Sequence, residues 1–190
     1  MRPRLLPVFQ IVLGAVALVA LVLTGIGAIL PRHWRVERSL MINAPPSSVH
    51  RWAADLAYWP RWAQGNQGSL APENQLGAPS AGVGATLTWR GRADGTTGSV
   101  RITASDPERG VWFEHRIDAG KPSVAALRYT PKPGVTEVTW QDEGELPPVV
   151  GGFLLDYFQT RLGEHMGQGL ARLKQLAEQP PQLPAQVLAE

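Results

Sequence analysis

Hydrophobic positions divide the chain into two regimes. Residues 11–30 (IVLGAVALVALVLTGIGAIL) are charge-free with Thr24 as the one polar side chain, so a helix here has no face for water. At ~1.5 Å per residue such a helix covers ~30 Å, the thickness of a bilayer's hydrocarbon core. The apolar stretch of a cleaved signal peptide is about 7–15 residues and ends at a small-x-small site. This run is longer, and Gly25-Ile26-Gly27 is a poor site. A core helix of a soluble domain would carry a polar face, which is missing. The pattern predicts a single-pass membrane anchor over 1–31, in contact with the bilayer through 5–30.

From Trp34 onward the period changes to two. Trp34–Asn43 alternates, with Val36, Arg38, Leu40 and Ile42 on one side. Ala44-Pro45-Pro46 breaks the strand, and Ser47 is placed to cap a short helix to about Asp55 that presents Val49, Trp52 and Ala53. Residues 56–63 (LAYWPRWA) predict a second short helical element broken at Pro60. Residues 64–82, rich in Gly, Asn, Gln, Pro and Ser, predict a long loop with at most one weak strand. Ala85–Arg90, Ser99–Ala104, Val111–Ile117, Ser123–Thr130 and Thr136–Glu143 then alternate between turns at Ala93-Asp94-Gly95, Asp106-Pro107, Gly120-Lys121-Pro122 and Pro131-Lys132-Pro133-Gly134, the pattern of an antiparallel meander. Past Pro147-Pro148 the period lengthens again. Phe158, Leu162, Met166, Leu170, Leu173 and Ala177 make one apolar stripe on a helix from about Phe153 to Glu178, which Gly163, Gly167 and Gly169 weaken. Residues 179–190 read as a Pro-rich tail. A curved sheet must cover its concave face, and this amphipathic helix is the element able to do so. The expected class is α+β.

Charge sharpens the picture. The formal net charge of +2 comes from 18 Lys+Arg and 16 Asp+Glu, and Arg2 and Arg4 hold the surplus, so the chain beyond the apolar run is neutral overall. That excludes the basic stripe a nucleic-acid partner requires. Absence of Cys excludes disulfide scaffolds and cysteine-held metals. For orientation, Arg2, Arg4 and the α-amine nearly balance Arg32, Arg35 and Arg38, the latter opposed by Glu37. A very short N-terminus ahead of the first span is the arrangement of a signal anchor that exports the chain beyond it, so the soluble domain is expected on the exported side.

The segment INAPPSSVHRWAADLAYWPRW (42–62) resembles the opening of the SRPBCC superfamily, the helix-grip group that includes START lipid-transfer domains, birch-pollen-allergen-like proteins and polyketide cyclase/dehydrases. The resemblance rests on Ala44-Pro45-Pro46 and Trp59-Pro60-Arg61-Trp62. It continues in Gly82-Val83-Gly84 before Trp89-Arg90-Gly91, Asp106-Pro107 before Val111-Trp112-Phe113, Val135–Trp140, and Gly169–Lys174. It covers 35–178. It implies a sheet of about six or seven antiparallel strands wrapped around the long C-terminal helix, two short helices after the first strand, and an apolar cavity between sheet and helix.

Combined with the alternation above, that expectation selects Leu87, Trp89, Val100, Ile102, Phe113, His115, Val138, Trp140, Phe158, Leu162 and Met166 as lining residues, against the plainer reading that they fill a core. His115 is the one titratable member, and a polar group on that face must be paired or serve a ligand. It is the main candidate acid/base, which would titrate near neutrality, with another cavity-facing polar group as the alternative. Trp52, Trp59 and Trp62 are expected to anchor the short helices against the sheet; the alternative is that one or more line the cavity mouth or sit at the bilayer interface. His33, His50, His115 and His165 fall on separate elements without an HxH or HExxH spacing, so no metal site is expected, and no GxSxG motif or dinucleotide fingerprint occurs, so no cofactor is expected either. The expected function is a membrane-anchored protein holding a lipid-like or other apolar small molecule. A cyclase or dehydratase acting on a polyketide-like substrate, and a structural protein of the envelope, are the alternatives.

Overall fold

In a computed structural model, residues 5–63, 73–92 and 95–179 are described. Helix α1 (Leu5–Ile29) leads into β1 (His33–Ile42). Helix α2 (Pro46–Ala53), a single 3₁₀ turn at Leu56–Tyr58 and the short α3 (Trp59–Trp62) come next. Strands β2 (Glu73–Leu76), β3 (Thr86–Arg90), β4 (Thr97–Asp106), β5 (Gly110–Ile117), β6 (Ser123–Lys132) and β7 (Val135–Glu145) then precede α4 (Gly151–Ala177). The seven strands form one antiparallel sheet in the order β1-β7-β6-β5-β4-β3-β2. The last strand of the meander thus pairs with the first, and α4 lies across the concave face. The weak strand expected within 64–82 is β2, and the expected turn at Ala93-Asp94-Gly95 and the tail from 180 lie wholly or partly outside the described residues.

Two local expectations are corrected, both at prolines. Ser47 does not cap α2: the helix begins at Pro46, two residues earlier than a Ser47 cap implies, with Pro45 as its N-cap and no side-chain cap bond. Pro60 does not break its segment; it stands in the first turn of α3. In both helices the missing proline N–H falls where a helix has no internal acceptor for it, and the fixed φ suits the first turn.

The far half of the concave face is packed solid. Trp62, Leu56, Ile42, Met166, Leu170 and Leu173 are sealed from solvent. Trp59 meets Trp62 and Phe113 at ring separations of 5.1 and 4.8 Å, and Trp62 meets Trp140 at 5.5 Å, all edge-on as ring quadrupoles favour. The indole N–H of Trp59 donates to the Ala53 carbonyl (2.9 Å) and that of Trp62 to Trp52 (3.1 Å), so the short helices are pinned by the aromatic side chains that fill the core. Gly169 lets α4 approach the Trp140 ring, 2.8 Å from where a Cβ would stand, and Gly163 does the same for the Arg38 guanidinium.

Helix α1 is exposed along nearly all its length and meets the domain at one end only. Gly27 seats against the Val149 carbonyl and the Phe153 ring, and Leu30 against Gly152. Val149 adopts φ 69°, a left-handed conformation that a β-branched residue occupies only under tertiary constraint. It lies in the short connection that turns β7 into α4.

Candidate functional site at the open end of the grip

The strands start and stop together at the end where α1 joins. Their inward positions there come from the register: Trp89 pairs with Gly98, Val100 with His115, His115 with Ser123, Ala125 with Asp142, and Trp34 with Gly144. Period two therefore sets Trp34, Trp89, His115, Ser123 and Asp142 on the concave face at this end, with the first half of α4 over its β1 side. Two glycines make the arrangement feasible. A Cβ on Gly144 would stand 2.6 Å from Cη2 of Trp34 and 2.7 Å from the Ser123 hydroxyl, and one on Gly98 would stand 2.7 Å from Cη2 of Trp89. Each indole thus lies flat over a bare piece of backbone.

At the centre is Asp142, 3 % exposed. The Trp34 indole donates to its Oδ1 (3.0 Å), and His115 Nε2 donates to its Oδ2 (2.8 Å). His115 and Asp142 stand on strands separated by β6, ~10 Å apart at the backbone given ~4.8 Å between neighbours. They meet because β6 presents only Ser123 and Ala125 between them, side chains too small to block the path. His115 keeps 18 % of its side chain open to solvent, so one flank of the ring is reachable while the other is held by the carboxylate. Above, Trp34 packs against Phe158 of α4 at 4.7 Å.

His165 stands nearby, tilted over Trp140 at 6.1 Å with an outer edge in solvent. Burial against its neighbours is the first cause that holds its pKa below the ordinary value. The Arg172 charge adds to this, and Asp142 pulls the other way. His50, on α2, is likewise held low by burial, against the raising effect of Asp106. It shares a hydrogen bond with Ser105 (3.2 Å) and packs edge-on to Tyr129. Burial pushes the Tyr129 phenol up.

The residues selected from sequence divide into two groups. Leu87, Ile102, Phe113, Val138, Trp140 and Met166 are 5 % exposed or less and belong to the packed core, as does Val100. Trp89, His115, Phe158 and Leu162 are half-buried and stand at the open end. Asp142 and Trp34 are not among the selected residues. Asp142 is legible as the next inward position after Val138 and Trp140 on β7. Trp34 is likewise the inward position before Val36 on β1, but its meeting with Asp142 requires the β1–β7 register. Two hollows open at the corners of this end: one of about 430 Å³ beside Trp34, Gly144 and Lys121, and one of about 360 Å³ beside Trp89, Gly98 and Arg116. Among the described residues, no group of three or more His, Asp or Glu is placed to hold a metal.

A curved antiparallel sheet gripping a long C-terminal helix, with a polar pair at its open end, defines a helix-grip domain. Residues 33–178 match the family model described as polyketide cyclase / dehydrase and lipid transport, and the chain belongs to that family. No curated protein matches it. Among solved structures it is similar to KanY, at 18 % identity and a TM-score of 0.61, over 79 % of this chain and 100 % of that one. Protein CV1439 from Chromobacterium violaceum is similar at 19 % identity and a TM-score of 0.55, over 79 % and 100 %. DynU16, a protein of the dynemicin biosynthetic locus, is similar at 15 % identity and a TM-score of 0.53, over 74 % of this chain and 46 % of its own. At these identities the likeness is one of fold.

Proposed function

We propose that the chain is a membrane-anchored binding protein for a lipid-like molecule: an apolar body with a polar group, received at the open end of the grip. The observation that carries this reading is that the half-buried part of the concave face, with its aromatic walls and its His115–Asp142 pair, is the end at which α1 joins the domain. Helix α1 contains one stretch, Phe9–Ile29, long and apolar enough to cross a bilayer. A molecule leaving the bilayer beside α1 would reach Phe158, Leu162, Trp34 and Trp89 without traversing water. Its polar group would meet the exposed flank of His115. Apolar walls with a few placed polar groups are the usual composition of small-molecule sites.

The test is mass spectrometry of organic extracts from the full chain purified in nanodiscs, beside an Asp142→Ala, Phe158→Ala variant. A small apolar molecule enriched in the wild type and lost from the variant is expected; identical extracts would overturn the reading. Export of the domain is checked by proteolysis of intact cells or spheroplasts, which cleaves an exported domain and spares a cytoplasmic one.

The His115–Asp142 hydrogen bond supports a second reading, a cyclase or dehydratase. Asp142 would orient the imidazole, and its solvent-facing nitrogen would exchange a proton with a polyketide-like substrate. Turnover of a polyketide-like substrate that disappears in His115→Gln would support it.

A further inference from the structure

Beyond α1, the first turns of α4 also present an exposed apolar surface. Helix α4 carries two apolar stripes. One, through Phe158, Leu162, Met166, Leu170 and Leu173, faces the sheet. The other runs through Val150, Phe153, Leu154 and Tyr157, spaced i, i+3, i+4 and i+7 from just before the helix, about 150° round from the first at 100° per residue. These four are 49–64 % exposed, and apart from the contact of Phe153 with Gly27 of α1 no element of the described structure covers them. The stripe ends in Arg161, whose guanidinium lies over the Tyr157 ring at 5.6 Å and pairs with Glu164.

Its position decides what covers it. Gly27 lies two residues inside the end of the Phe9–Ile29 stretch and packs on Val149 and Phe153. Counting ~1.5 Å per residue, this contact is ~3 Å within the apolar span, so the first turn of α4 stands at the same depth as the last turn of α1. Tyr157, one turn further along, is at the level where aromatic rings with a polar tip collect, and Arg161 can extend to headgroup phosphates. We infer that the Val150–Tyr157 stripe is a second, interfacial membrane contact. It fixes how the domain is turned on its anchor and holds the open end of the grip against the lipid. This inference rests on the reading of α1 as a membrane span.

The chain has no cysteine, so single cysteines can be introduced into the full protein and labelled with an environment-sensitive fluorophore. In nanodiscs, lipids carrying a spin-label quencher either high on the acyl chain or near its terminal methyl report depth. Val19→Cys should be quenched by the deep label, Leu154→Cys by the shallow one, and Glu137→Cys on the β6–β7 side by neither. Failure at Val19 overturns the anchor itself. Quenching at Val19 with an unquenched, water-like emission at Leu154 overturns the inference alone, as does Leu154 emission shielded from both quenchers by a second copy or a protein partner. A Phe153→Ser, Tyr157→Ser variant, exposing less apolar surface, should keep Val19 quenching and lose at least half of that at Leu154.

Discussion

Replacing Asp142 tests the central pair most directly. Asp142→Ala leaves two groups without acceptors: the Trp34 indole N–H, inside the core, and the His115 ring, partly open to water. A buried donor left unpaired costs about 1–3 kcal/mol, and His115 can regain part of its loss from solvent, for roughly another 1. The expected destabilisation is therefore about 2–4 kcal/mol. Asp142→Asn keeps the shape and one carbonyl acceptor for Trp34. Its amide N–H can donate to the other His115 tautomer, so the loss should stay near or below 1 kcal/mol. Guanidinium denaturation of the full chain in detergent, monitored by Trp fluorescence, measures both. Asp142→Ala within about 0.5 kcal/mol of wild type, or no more damaging than Asn, would refute the claim that this carboxyl holds the end of the grip together.

Other expectations concern backbone and charge. Gly144→Ala drives a methyl into the Trp34 ring, and Gly98→Ala one into Trp89, so each should lower stability by about 1–3 kcal/mol in the same denaturation assay. Val149→Gly removes the strained left-handed valine and should raise stability there by about 0.5–1 kcal/mol. His50 binds its proton less readily folded than unfolded, so the unfolded chain takes up more protons once pH falls below the ordinary histidine value near 6.5. Stability should thus fall as pH drops from 7 toward 5, and a His50→Gln variant should show a shallower slope in pH-dependent thermal melts.

The architecture and the site differ in how far the chain alone revealed them. Strand and helix periods are local properties: alternation around Val36, Val100, Phe113 and Val138 and the three-four spacing along α4 fall at their observed places, because one face of each element must leave water. The prolines at 46 and 60 mislead for an equally local reason, since a proline tolerated in a first turn looks the same in sequence as one that breaks a helix.

Alternation also marks an inward-facing residue, but it does not say whether that residue fills a core or borders an opening. Leu87 and Trp89 share one strand and one face, yet one is sealed and the other half-buried. Their position along the curved sheet decides this. Local pattern was enough for the apolar first helix, the neutral domain behind it and the α+β order, since each depends on neighbours within a few residues. The packed fold was needed to join His115 to Asp142 across β6 and to set α1 against the start of α4. Those meetings depend on strand register and on the small residues lying between the partners, which no local pattern encodes.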